Sequence, residues 1–212
     1  MKFNIPQPTI IRLCTLHQFL ARLENESVQR ISSSELEKRT GFPSHSIRKD
    51  INYLGEIGSA GSGYDVSKLK NHVAEKLSFR LEQKACVVGL GNLGLAILHL
   101  PQLAVEGFKV VAGFDSNINK LETIKTEVPL FPSYEIAEVV RRMKIDIAII
   151  AVPPHNAQEV TDRLADGGIT GIVNFARTII HPKKQGVFVR NIDIGVECRI
   201  VSVLALSRND SP

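Results

Sequence analysis

Three glycines and one acid have the types and spacing to do chemistry together. Gly89-Leu90-Gly91-Asn92-Leu93-Gly94 is a G-x-G-x-x-G turn. The apolar run Cys86-Val87-Val88 enters it, and Leu95-Ala96-Ile97-Leu98 continues from it as a helix. Strand, glycine turn and helix start are the parts of a dinucleotide-binding βαβ unit. Gly89 allows the tight turn, Gly91 lets the backbone approach a pyrophosphate, and Gly94 lets the helix pack close to the strand. The first N–H groups of that helix then face the phosphates. The glycines alone are a weak signal. Asp115 strengthens it, because it ends the next strand-like run, Phe108-Lys109-Val110-Val111-Ala112-Gly113-Phe114, at the distance expected of an acid that holds a ribose hydroxyl. An acid there favours NAD over a coenzyme with a 2′-phosphate.

The elements that position this turn follow from periodicity. Ile145–Val152 is the most strand-like run of the chain and stops at Pro153-Pro154. In an open parallel sheet ligands lie beyond the carboxyl ends of the strands, so Val152 and Pro153 border the nicotinamide end of a bound dinucleotide. Ser116–Lys125, Ser133–Met143 and His155–Asp166 read as helices, with Pro129 and Pro132 as breaks. Gly171–Phe175 and Gly186–Arg190 read as further strands. The alternation predicts a doubly wound α/β domain.

Upstream, Ile10, Leu13, Leu16, Leu20 and Leu23 recur at helical spacing. A second helix is expected from Ile31 through Arg39. Gly41-Phe42-Pro43 is a turn, and a third helix begins near Ser44 with Ile47, Ile51 and Leu54 inward. Its other face carries Ser44, His45, Ser46, Arg48, Lys49 and Asn52. Helix, glycine turn and donor-rich helix make a helix-turn-helix suited to the major groove of double-stranded DNA. Residues 55–66 are glycine-rich and read as the wing of a winged helix, with Ser59, Gly61 and Tyr64 near DNA. A connecting helix with Val66, Leu69, Val73 and Leu77 inward leads to the glycine turn.

Charge agrees with this division. Of the net +4, residues 1–80 hold the whole excess, 12 basic against 8 acidic residues. No run of 18 apolar residues is present, no apolar signal core opens the chain, and the three cysteines lie far apart. These features predict a cytoplasmic protein without a membrane partner. No Cys/His spacing suggests a metal. The last segment, Ile194 to Leu206, is apolar on most sides. Its own domain is expected to cover one side and a second subunit the other, giving a homodimer that suits palindromic DNA.

The ordered motifs Arg48-Lys49-Asp50-Ile51-Asn52-Tyr53-Leu54-Gly55, Gly61-Ser62-Gly63-Tyr64-Asp65-Val66, Val88–Gly94, Gly113-Phe114-Asp115, Val152-Pro153 and Gly171-Ile172-Val173-Asn174-Phe175-Ala176 resemble the Rex family of redox-sensing transcriptional repressors. The resemblance spans nearly the full length. It implies a winged-helix domain at 1–80, a Rossmann-type NAD(H)-binding domain at 81–190, and at 191–212 a dimerisation helix exchanged between subunits, followed by a tail. It also implies operator binding with NAD⁺ and release with NADH. DNA contact falls to Arg48 and Lys49, and the coenzyme site to Gly89–Gly94, Asp115 and the Asn174 motif.

Three departures stand out. Ala60 replaces an arginine of the wing. The family's switch uses an arginine in the first helix and a tyrosine after the glycine-loop helix, where this chain has Gln18 and Leu100; of that set only the aspartate, Asp193, remains. Ile194 replaces an aromatic residue. The Arg–Asp pair that distinguishes two states cannot form, so a weakened, rewired or absent NADH response is expected. Two other readings compete. A regulator could sense another nucleotide-bearing ligand such as coenzyme A. A small NAD-dependent oxidoreductase would need a catalytic domain, and the 59 residues after Pro153 are too few; His155 and His181 are its only candidates. The chain therefore reads as a regulator and not an enzyme.

Overall fold

The computed structural model describes residues 5–55, 63–79 and 82–209. The chain divides into two compact units, residues 1–81 and 82–212.

The first unit is built on α1 (Gln7–Asn25), β1 (Arg30–Ile31), α2 (Ser33–Thr40), α3 (Ser44–Leu54), β2 (Tyr64–Asp65) and α4 (Val66–Lys76). Leu13, Leu16, Leu20 and Leu23 of α1 meet Leu36, Ile47, Ile51, Leu54, Leu69 and Val73 in one buried core. The start of α2 is fixed by a capping box: Ser32 Oγ accepts the Glu35 N–H, and the Glu35 carboxylate accepts the Ser32 N–H. Gly41 ends it in the left-handed conformation (φ 75°).

Ile31 does not open α2, as periodicity suggested. It is buried in β1, where Arg30 and Ile31 pair antiparallel with Asp65 and Tyr64. This two-residue ladder ties the segment before α2 to the start of α4. Gly63 serves it with φ +72°, and a Cβ there would stand 3.0 Å from the Ile31 carbonyl oxygen. Ser59, Ala60 and Gly61 lie outside the described residues.

The second unit contains one six-stranded sheet in the order β5 (Leu130–Pro132), β4 (Phe108–Asp115), β3 (Gln83–Val88), β6 (Ile147–Ile150), β7 (Gly171–Asn174), β8 (Phe188–Asn191). Every neighbouring pair is parallel. This is the dinucleotide-fold order, in which the sequence of strands across the sheet switches from leftward to rightward between β3 and β6. The helices are α5 (Asn92–Leu98), α6 (Pro101–Val105), α7 (Ile118–Thr123), α8 (Ile136–Met143), α9 (Pro154–Gly167) and α10 (Ile194–Asn209). Two apolar clusters flank the sheet, one with Phe114, Ile150 and Leu164, the other with Val87, Leu90 and Ile97. Both faces are covered, as continuous apolar strands require.

Several elements differ from their sequence reading. The segment between Pro129 and Pro132 is an edge strand, where proline is tolerated because its missing donor faces no partner. Residues 101–105 form α6, a five-residue helix too short to show a periodic stripe. The greatest departure concerns α10. Ile194, Val201 and Leu204 are 64%, 65% and 61% exposed, and residues 194–207 are exposed throughout. Its own domain covers neither side. An all-round apolar sequence has no inward stripe that would seat it on the sheet.

Candidate functional site

The glycine turn sits where the sheet reverses. Gly89 leaves β3 with φ +91°, and a Cβ on it would come within 2.7 Å of the Ala151 carbonyl oxygen. Gly94 is more confined: a Cβ would lie 1.8 Å from the Gly89 carbonyl oxygen. Gly91 differs from both. Nothing lies within 4 Å of its Cβ position, and it caps α5 without a side chain. Two glycines therefore hold the loop together, and the third leaves open space in front of a helix start, where a phosphate can approach.

A cleft of 810 Å³ opens at this point. Gly89, Gly91, Asp115, Val152 and Pro153 line it. The Asp115 carboxylate accepts the N–H groups of Leu90 and Asn117, each at 2.9 Å, and pairs with Lys120 Nζ at 3.0 Å. Burial opposes its ionisation, but the bonds from Asn117, Lys120 and Leu90 outweigh that and hold the carboxyl below its ordinary range. The acid is anchored by three donors at the edge of the cleft.

Other predicted site residues fall elsewhere. The Leu90 side chain is fully buried, and its N–H serves Asp115 and not a ligand. Asn92, Leu93 and Gly94 form the first turn of α5 and do not line the cleft. Asn174 is 2% exposed and outside the cleft. Its amide donates to Thr178 O and Asn191 Oδ1, both at 2.8 Å, and accepts from the Ala176 N–H at 3.0 Å. A buried amide engaged in this way shapes the loop that carries Phe175 and Arg177.

Residues that the motifs did not indicate complete the walls. Lys120 is one, legible only as the base five positions after Asp115 at the start of α7. Arg163 is another, bonded to Ser133 O at 2.9 Å and Glu159 Oε1 at 2.5 Å. Arg177 also lines the cleft, together with Phe175 and Ala176. Cys86 is fully buried within β3, where burial pushes its thiol up to about 12, so it is no nucleophile. Among the described residues, no group of three His, Cys, Asp or Glu could hold a metal ion. His155 is exposed and does not line the cleft.

In the first unit α3 presents His45, Arg48 and Lys49 to solvent, with Ser44 and Ser46 half-buried. Arg48 donates to Ser33 Oγ at 3.0 Å, which orients it across the turn from α2. Tyr64 is half-buried; burial pushes its phenol up, against the opposing pull of Arg48. Asp50, within the Arg48–Gly55 motif, is 2% exposed and takes Arg12 Nε at 2.5 Å, Arg12 Nη2 at 2.7 Å and Thr9 Oγ1 at 2.9 Å. It fixes α3 against α1. Gln18 is exposed on α1, and Leu100 is 43% exposed at the start of α6. Asp193 caps α10, accepting the Gly195 N–H at 2.8 Å, and Ile194 follows in the open.

A helix-turn-helix unit followed by an α/β unit with a dinucleotide-type cleft defines a class of ligand-responsive DNA-binding regulators. Residues 4–52 match the family model described as "Putative DNA-binding protein N-terminus", and residues 81–178 match "CoA binding domain". The redox-sensing transcriptional repressor Rex of Thermotoga petrophila is 38% identical over 99% of this chain and 100% of its own length. That of Carboxydothermus hydrogenoformans is 36% identical over 94% and 96%. The crystal structure of RSP, a Rex-family repressor, superposes with a TM-score of 0.86 at 31% identity, covering 98% of each chain. RSP with β-NADH gives 0.87 at 29% identity, covering 98% of this chain and 97% of RSP. RSP with β-NAD⁺ and operator DNA gives 0.86 at 29%, covering 100% of each chain. The chain belongs to the Rex family of redox-sensing transcriptional repressors. Among its described residues no helix is long and apolar enough to cross a membrane.

Proposed function

We propose that this chain is a transcriptional repressor that binds operator DNA through α3 and senses the NADH to NAD⁺ balance in the cleft of its α/β unit. The observation that carries the reading is the open space at Gly91 beside an anchored, ionised Asp115, at the reversal point of the sheet. A pyrophosphate fits the first, and a ribose diol the second. The relatives crystallised with NADH, with NAD⁺ and with operator DNA support the same ligands here. The coenzyme acts as an effector and is not consumed.

The domain limits in this reading are 1–80 for DNA, 81–190 for coenzyme and 191–212 for dimerisation. The apolar, exposed α10 is the surface that a second copy covers. Arg48 and Lys49 meet phosphates or base edges, and His45 and Ser46 follow the groove. With Gln18 and Leu100 in place of an arginine and a tyrosine, the response to NADH is weakened relative to family members that hold the Arg–Asp pair. Coenzyme A is the second reading, favoured by the family model over 81–178.

The test is a titration with NADH, NADPH and coenzyme A, paired with operator binding at two salt concentrations. Arg48→Ala weakens DNA binding and lowers its salt slope by about one, leaving NADH affinity unchanged. Gly91→Val does the reverse. Loss of both activities in both variants contradicts the two-module reading, and preference for coenzyme A replaces NADH as the effector.

A further inference from the structure

We infer that Arg177 makes the cleft prefer the reduced over the oxidised nicotinamide coenzyme, by setting an unpaired guanidinium beside the ring that is cationic only when oxidised. The inference rests on the reading of the cleft as a nicotinamide dinucleotide site.

Sheet order fixes which end of the cleft Arg177 occupies. Asp115 ends β4, the glycine turn follows β3, Val152 and Pro153 follow β6, and Arg177 comes three residues after β7. In the order β4-β3-β6-β7, β4 and β7 are three spacings apart, about 14 Å. That breadth takes two nucleotides laid end to end. With adenosine ribose at Asp115 and pyrophosphate at Gly91, the second base lies toward β7, among Val152, Pro153, Phe175 and Arg177.

Three cations line this cleft: Lys120, Arg163 and Arg177. Lys120 is paired with Asp115, and Arg163 with Glu159. Arg177 has no carboxylate within ion-pair distance among the described residues, and it stands at the end away from Asp115. Its backbone is held by the bond from its own N–H to Phe175 O at 3.0 Å and by the Asn174 amide beneath the turn. The side chain is exposed and carries full charge.

A nicotinamide ring bears a positive charge in NAD⁺ and none in NADH. The rest of the molecule is the same, so an ion at this end acts on the difference alone. Repulsion between two partly solvated charges several ångströms apart amounts to about three- to tenfold in affinity. Asp193 and Glu197 border the adjoining 310 Å³ cavity, which Arg177 also lines. Their charge partly offsets the repulsion and keeps the effect at that modest size.

The experiment measures NADH and NAD⁺ affinities for the full chain and for Arg177→Gln, Arg177→Lys and Arg177→Glu. The chain has no tryptophan. NADH binding is therefore followed by the coenzyme's own fluorescence, and NAD⁺ by competition. Thermal unfolding of each variant checks the fold, which an exposed side chain should not disturb. Arg177→Gln is expected to lower the NADH to NAD⁺ preference about three- to tenfold, chiefly by tightening NAD⁺. Arg177→Lys keeps the preference, and Arg177→Glu lowers it further. Equal weakening of both forms by Arg177→Gln would assign the arginine to a phosphate and overturn the inference, as would no change in either. If the unaltered chain binds neither form, the dinucleotide reading itself fails and this inference falls with it.

Discussion

Asp50 on α3 holds Arg12 on α1 through two bonds, at 2.5 and 2.7 Å, so the helix proposed to read DNA is clamped from below by a partly buried ion pair. The side chains are 3% and 28% exposed, respectively. The hydrogen bond from Arg12 to Asp50 also raises the guanidinium pKa, against the lowering by burial.

Removing one partner tests the clamp. Arg12→Ala leaves a buried carboxylate with only Thr9 as a donor side chain. The expected loss is about 2–3 kcal/mol, at or below the bottom of the range of about 3–5 kcal/mol for a fully buried pair, because Arg12 is partly solvated. Denaturant unfolding of the first unit should show it. A loss below about 0.5 kcal/mol would mean that the pair is only decorative.

Gly91 and Gly94 should separate binding from stability. A Cβ at Gly91 meets open space, so Gly91→Ala should unfold at the same temperature and bind NADH about tenfold or more weakly. A Cβ at Gly94 collides with the Gly89 carbonyl, so Gly94→Ala should lower the stability of the α/β unit by several kcal/mol. Calorimetry and NADH titration together check both; equal melting temperatures for the two variants would refute the assignment.

Asp115 gives the pH dependence. Its folded pKa lies below the ordinary value because donated bonds outweigh burial. The stabilisation is therefore fully present above the ordinary carboxyl range near 4 and is lost as pH falls through the lower folded value. Asp115→Asn should flatten this acid limb between about pH 4 and 2 and weaken NADH by about tenfold. Unfolding midpoints across that window measure it. An unaltered acid limb would show that the bonds from Leu90, Asn117 and Lys120 carry no ionisation-dependent stability.

The exposed α10 predicts an assembly. Leu204→Glu places a charge on a position that is 61% exposed in one chain. A monomeric protein would tolerate it with little change. A dimer closed by α10 should dissociate, giving about half the sedimenting mass at micromolar concentration. Unchanged mass would leave α10 without its proposed occupant.

Much of this architecture was readable in the residues, for reasons that differ by element. The α1 stripe of Leu13, Leu16, Leu20 and Leu23 and the Gly89–Gly94 turn are local patterns, set by periodicity and backbone geometry. The doubly wound α/β class followed from the alternation of elements, whereas the edge strand β5 between two prolines did not. What escaped was non-local. Arg12 and Asp50 are 38 positions apart, and only folding brings them together. Ile31 looked helical beside three serines, yet pairing with Tyr64 drew it into a strand. Asn174 carries a family motif, but its bonds to Thr178 and Asn191 appear only once β7 and β8 are paired. Lys120, on the short helix α7, and Arg177, in the loop after β7, line the cleft from segments whose sequences carry no pattern.

The central claim is that a coenzyme in the second unit informs a DNA-reading helix in the first. It is tested most directly by following a labelled operator duplex, bound to the full-length chain, as NADH is added in the presence of NAD⁺. The account predicts that NADH lowers operator affinity, at a higher NADH to NAD⁺ ratio than for family members with the Arg–Asp pair, and that Gly91→Val binds the duplex but ignores NADH. Operator affinity that stays the same at NADH concentrations shown to fill the cleft would contradict it.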